Sequence, residues 1–444
     1  MRVVAIMPSR RQSPFRSTSG PSGRLNPSRR SASRGVVLIL AIFAVALLTT
    51  LAVGITTAVR VELKAAHAGL ERTQELFLVQ AGVELARAIL VYEDPSYDTL
   101  TDAWGPYAEL PLDQPQELGE GYYRVRVHDA CGRIDLNRAD YETLVRLTDD
   151  PDLAQEILRW REGQANAEQY LSLPYPYPPR QGAFQTVGEL LLVQGMTPEL
   201  FFGTEEQSGL VDLLTVEAIS ANTDANGESR TSVRTMWVAI NERPGWFEEY
   251  HANLLELADM ETWKRIFGYS PPDSANGSYE SLAQLAEVLE SYGALEALDY
   301  LTVSTDAHLL GLVNVNTASP EVLAALPGGS PEFAQAVLKR REAEPFVSLG
   351  DVAQFLASQE EGAAVLSQMI DRVTTKSSSF VIESTGAVGR PPGSSVGGDG
   401  TGGSFRTVCA YVRRIEGNVH VLAEFEEDEP LPPYEETIRL AARR

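Results

Sequence analysis

Between Arg34 and Arg60 the chain carries no charge, and the 24 residues from Val36 to Val59, VVLILAIFAVALLTTLAVGITTAV, are almost wholly apolar. That length exceeds the roughly 20 residues a helix needs to cross the hydrocarbon core of a bilayer. Residues 1–35 hold eight arginines and no acidic residue, whereas Arg60, Glu62 and Lys64 mix both signs after the span. Basic flanks stay cytoplasmic, so residues 36–59 are expected to make a single pass through the inner membrane, with the bulk of the chain on the far side. A secretory signal has an apolar region of about 7 to 15 residues and a small-residue cleavage site after it. Here the apolar region is too long, and the small residue, Gly35, stands before it. A plain signal anchor would have the same composition.

The leader holds eight of the 37 basic residues; without it 29 remain against 61 acidic ones, a net charge of −32. So acidic a body repels phosphate, so no nucleic acid is expected among its partners, which should be proteins or cations. Cys131 and Cys409 lie far apart without metal-ligand spacing and read as two buried free thiols; an oxidising exterior would allow them to pair.

After the span, residues 61–90 contain no proline and mostly good helix formers, with Leu70, Phe77, Ala81, Leu85 and Ile89 recurring at three to four. Span and stripe predict one helix of over 50 residues, with Phe77 and Leu85 as core. Residues 91–119 read as loop. GYYRVRVHD (121–129) alternates as a strand, and FVIESTGAV (380–388), FRTVCAYVRRI (405–415) and NVHVLAEF (418–425) form an antiparallel meander, its first hairpin carrying a mobile glycine-rich loop. If residues 121–129 join that meander, one sheet is split by about 250 residues of sequence.

The intervening region holds an internal repeat. GRIDLNRADYETLVRL (132–147) aligns without gaps on GLVNVNTASPEVLAAL (311–326), AQEILRWRE (154–162) on AQAVLKRRE (334–342), and FQTVGEL (184–190) on FVSLGDV (346–352). Each copy predicts a short strand, an Asn turn, a helix, a tight turn and a second helix. Ser319-Pro320 supplies a cap and a first-turn proline, and Gly328-Gly329 the turn between helices; in the first copy that turn is Asp149-Asp150-Pro151-Asp152. Residues 174–196 read as a proline-rich loop leading to an apolar helix, Tyr279–Leu301 as helix, and 268–278 as loop. Asp224, Asn226 and Gly227 resemble the opening of a calcium loop, but the required spacing and distant glutamate are missing, which leaves a plain turn.

Five scattered histidines, His67, His128, His251, His308 and His420, show no ligand or triad spacing, and no Walker, G-x-S-x-G or HExxH motif occurs. The expectation is a non-enzyme, with no catalytic residues.

A basic leader, a glycine, and an apolar helix running into an amphipathic one resemble a type IV prepilin or pseudopilin. That resemblance implies cutting by prepilin peptidase between Gly35 and Val36 and methylation of the new amino terminus, although the usual first residue is phenylalanine. Leu40 occupies the fifth mature position, where most pilins carry a glutamate. A carboxylate in hydrocarbon is costly unless paired, so a subunit with no neighbour ahead of it does better without one. With the strand order and the helix-hairpin-helix-like repeats, the chain resembles the minor pseudopilin K family of type II secretion. The implied fold is α+β: a pilin-like long N-terminal helix on an antiparallel sheet, with a large inserted, mainly helical domain. The implied divisions are a basic leader (1–35), a membrane helix (36–59), a helix continuation with first strand (60–128), an insertion (129–375) with repeats at 132–190 and 311–352, closing strands (376–426) and a flexible tail (427–444). The implied role is a noncatalytic tip subunit acting in pseudopilus initiation and protein export, whose partners are other minor pseudopilins, inner-membrane secretion components and prepilin peptidase. The insertion, too bulky to stack below a further subunit, would fix the tip position. Calcium is the one cofactor the resemblance allows. Two rivals stand beside this reading: a competence-type DNA-binding protein using Gly328 and Gly329, and a stand-alone anchored interaction protein.

Overall fold

A computed structural model describes residues 31–93, 96–204, 207–268, 279–389, 391, 405–415 and 417–427. Residues 1–30 of the expected leader, the glycine-rich loop from 392 to 404, the loop at 269–278 and the tail from 428 lie outside them. The chain divides into two compact units at Gly69.

One helix, α1, is assigned from Ser31 to Tyr92, 62 residues. It starts ahead of the predicted span because nothing in Ser31–Gly35 breaks it. In the first unit it is a lone apolar rod: its side chains from Gly35 onward are exposed, and Thr49, Thr50 and Thr56 return their hydroxyls to carbonyls one turn back, 2.6 to 2.9 Å away. Hydroxyls satisfied in this way sit in hydrocarbon at low cost.

In the second unit the end of α1 packs on a five-stranded antiparallel sheet. Its strands are β1 (Gln116–Leu118), β2 (Gly121–Asp129), β3 (Ser379–Val388), β4 (Phe405–Ile415) and β5 (Asn418–Glu427), in that spatial order. The four long strands fall where alternation puts them, and β2 pairs β3 from Phe380 opposite Asp129 to Val388 opposite Gly121. The short β1 falls in a stretch expected to be loop; its polar, exposed Gln116 and Glu117 give no alternation, and only the two-residue turn to β2 brings it into register. Val125, Val127, Phe380, Ile382, Ala410 and Val412 form the helix-facing layer.

The helix stripe differs from expectation. Leu78, Val79, Val83, Ala86 and Leu90 are buried, whereas Leu70 and Phe77 are exposed and Leu85 half-buried. The helix comes closest to the sheet at Gly82: a Cβ added there would lie 2.3 Å from Ser384 Oγ, and that hydroxyl donates to the Val79 carbonyl at 2.9 Å. Backbone and sheet are too close there for the bulky row, which is rotated outwards.

Between β2 and β3 the chain builds a second apolar core of short helices. Four of them, Val233–Glu242, Pro244–Tyr250, Ala252–Leu257 and Met260–Phe267, lie in a stretch that gave no sequence reading. The expected helix at Tyr279–Leu301 breaks into Leu282–Ser291, a 3₁₀ turn at Leu295–Asp299, and a strand residue at Leu301. Gly293 at φ +68° ends the first piece. The apolar helix after the proline-rich loop is a 3₁₀ helix, Val187–Leu192.

Candidate functional site

The two repeats share their asparagine and arginine contacts. In the first, α2 (Tyr141–Thr148) and α3 (Pro151–Arg161) follow a strand residue pair Ile134–Asp135; in the second, α4 (Pro320–Ala325) and α5 (Pro331–Ala343) follow Val313–Asn314. Asn137 donates to the Phe184 carbonyl (3.0 Å) and accepts from the Phe184 amide (2.8 Å). Asn316 does the same with Phe346, at 2.8 and 2.9 Å. Arg161 clamps the carbonyls of Leu136 and Ala139, and Arg341 those of Val315 and Ala318. Both arginines occupy the same column of the sequence alignment, the one available signal for a clamp that the sequence reading missed. Leu144, Leu147 and Ile157 are buried, Leu158 only partly. The copies also meet where Arg146 donates to the Leu326 carbonyl, and beyond the second copy Arg372 pairs with Asp140 at 3.1 Å.

Their hairpins differ. Asp149 takes the left-handed conformation (φ 50°) in the first copy, and Gly328 (φ +75°) in the second. The Gly329 amide donates to the Leu326 carbonyl at 2.8 Å, and a Cβ there would lie 2.4 Å from the Leu323 carbonyl oxygen. That amide is used up inside the turn, so it is not offered to a phosphate in the way an anion-binding hairpin requires.

A buried polar junction joins the second repeat to the sheet. Asp98 accepts from both the Ser377 amide (2.7 Å) and Arg414 Nη2, which reaches its two oxygens at 2.6 and 2.7 Å. Asp129, the last residue of β2, accepts from Ser377 Oγ (2.6 Å), Thr317 Oγ1 (2.5 Å) and the Cys131 amide (2.8 Å). Asn314 Nδ2 completes the set, 2.9 Å from Ser377 Oγ and 3.2 Å from Asp129 Oδ2. Burial raises the Asp98 carboxyl to about 7 against the pull of Arg414, and raises Asp129 as well. Both carboxylates are buried, and among the described residues no histidine hydrogen-bonds to them or to the hydroxyls of Ser377 and Thr317. What this arrangement can do is hold two parts of the fold together. It draws on segments near residues 98, 129, 315, 377 and 414, a convergence no local pattern announces.

The calcium-like turn does not fit a cation. Asp224 Oδ1 accepts from the amides of Asn226 and Glu228, both at 2.9 Å, and the ammonium of Lys376 donates to the Asp224 carbonyl and, at 3.1 Å, to Thr223 Oγ1. A metal there would face a buried positive charge. Among the described residues no three His, Cys, Asp or Glu side chains converge as a metal site. Cys131 is buried, its thiol 3.1 Å from the Ile219 carbonyl, and Cys409 is half-buried; the two are not joined by a disulfide.

Of the residues singled out in the anchor, Gly35, Val36 and Leu40 all lie within α1, and Leu40 is 63% exposed. The helix is long and apolar enough to cross a membrane. In the second unit the row displaced from the sheet leaves Phe77 64% exposed, beside a groove bordered by Leu78, Leu118 and Val388. This is an exposed apolar surface on a helix whose other side is occupied.

Compared with known proteins, residues 313–371 match the family model described as type II secretion system (T2SS), protein K. The matched segment runs from the short strand of the second repeat to Asp371, and so contains Asn314, Asn316, Thr317 and the Gly328-Gly329 hairpin. No curated protein matches the chain. Among solved structures, it is similar to a chain of the GspK-GspI-GspJ complex from the enterotoxigenic Escherichia coli type 2 secretion system, at 13% identity and a TM-score of 0.44, covering 82% of this chain and all of that one.

Proposed function

We propose that the protein is a noncatalytic minor pseudopilin at the tip of a type II secretion pseudopilus, where it takes part in pseudopilus initiation and protein export with other minor pseudopilins. The observation that carries this reading is the charge-free rod after Gly35 with Leu40 at its fifth position, on a chain whose second repeat is a protein K segment. Prepilin peptidase cuts between Gly35 and Val36, the helix stays in the inner membrane with its amino terminus cytoplasmic, and residues beyond it lie in the periplasm. An uncharged fifth position suits a subunit with no neighbour ahead, since a lone carboxylate in lipid is costly. The exposed row around Phe77 supplies the lateral packing surface for neighbouring pseudopilins.

Mass spectrometry of the amino terminus of protein purified from cells with an active secretion system tests the reading. The expected product starts at N-methylated Val36; a chain retaining its leader would overturn it.

A further inference from the structure

Beside the paired strands Ile219–Ala221 and His308–Leu310 lies a cavity of about 210 Å³. Its walls are largely aliphatic, with Leu310, Leu349 and Ile370 among them, but Arg230, Thr302 and Asp371 also line it. Arg230 Nε is buried and has no hydrogen-bond partner among the described residues; the charges of Asp299 and Asp224 act on the guanidinium from beyond hydrogen-bonding distance. The acids near it hydrogen-bond backbone amides rather than the guanidinium. Asp224 holds the amides of Asn226 and Glu228, Asp299 accepts from the Gly350 amide at 2.7 Å, and Asp371, on the cavity wall, accepts from the amides of Leu282 and Ala283 at 2.8 and 3.3 Å. Thr302 Oγ1 accepts from the Ser304 amide at 3.1 Å, which leaves its proton to donate.

A planar cation kept in an apolar enclosure without a hydrogen-bonded counter-charge is poised for an anion that brings its own apolar surface. We infer that this cavity binds a carboxylate bearing a short aliphatic body, with the carboxylate on Arg230 and Thr302 and the aliphatic part against Leu310, Leu349 and Ile370. The carboxylate could be that of a free short-chain acid or of a polypeptide ending in an aliphatic residue. The site does not depend on the pseudopilin reading.

The test uses the full chain in detergent, titrated by calorimetry and by thermal unfolding with hexanoate, with N-acetyl-leucine and with a pentapeptide ending in leucine. N-acetyl-leucinamide and the amidated peptide serve as controls. At about 10 mM ligand the acids are expected to raise the unfolding temperature by a few degrees and the amides to leave it unchanged. Response to hexanoate alone assigns the site to a free acid; response to the peptide assigns it to a chain terminus. No response to any acid, or an equal response to the amides, overturns the inference. Arg230→Met should abolish binding at least tenfold, and unchanged binding would overturn it too. Should that variant fail to fold, Thr302→Val, which should weaken acid binding several-fold, gives the same decision alongside the amide comparison.

Discussion

Asp98 is the residue whose protonation reaches furthest into the fold. Its carboxyl ordinarily titrates near 3.8 and is raised to about 7 in the folded chain by burial. A folded value above the unfolded one means the native state holds the proton more tightly. Its contribution is therefore fully present below about pH 4 and is lost as pH rises through about 7. Asp98→Asn should flatten the decline in unfolding temperature between pH 5 and 7.5, measured by calorimetry against the parent chain; an identical slope would remove Asp98 as its source. Asn316 makes a different kind of prediction. Its side chain satisfies both backbone groups of Phe346, so Asn316→Ala strands a buried donor and acceptor and should cost about 2 to 3 kcal/mol in chemical denaturation. Asn316 was legible, because it repeats Asn137 in register. Asp98, Ser377 and Arg414 were not, because each is an ordinary polar residue until tertiary structure brings it into the junction.

At the scale of elements, the helix–sheet contact separates two apolar rows that the sequence presents as one. Gly82→Val would drive a branched side chain into Ser384 and Val125 and should destabilise by about 1 to 3 kcal/mol. Phe77→Asp, on the exposed row, should change stability by no more than about 0.5 kcal/mol yet reduce co-purification with other minor pseudopilins. The strands were legible because alternation with one face on a helix leaves a period-two record, as in Val125 and Val127. The four helices between Val233 and Phe267 were not, although Ser232 and Asp259 cap two of them through the amides of Thr235 and Thr262. Each is ten residues or fewer, and Pro244 and Gly245 interrupt the run, so no window shows a sustained 3.6 period. Phe77 and Leu85 were read as core, whereas Phe77 is exposed and Leu85 half-buried. Periodicity identifies a face; the size of the residues opposite decides what it meets.

Across the whole molecule, Lys376 serves where an acidic loop might have recruited a divalent ion, so unfolding temperatures in excess calcium and in chelator should coincide; a calcium-dependent rise would show that ligands outside the Asp224 turn had been overlooked. The anchor and the sheet lie in regions of the sequence with strong local patterns, which is why the fold class could be read, while the core between β2 and β3 depends on contacts among short, weakly patterned pieces. The pairing of β2 with β3 has one more consequence. A polypeptide synthesised from its amino terminus delivers β2 early, then must supply about 250 residues before its partner arrives. For that interval the strand's inner edge is an open template for any other chain nearby, and pairing at such sequence separation is slow. Maturation of this protein should therefore be limited by the wait for its carboxy-terminal strands, and truncations that remove them should yield aggregates even though the repeats are left whole.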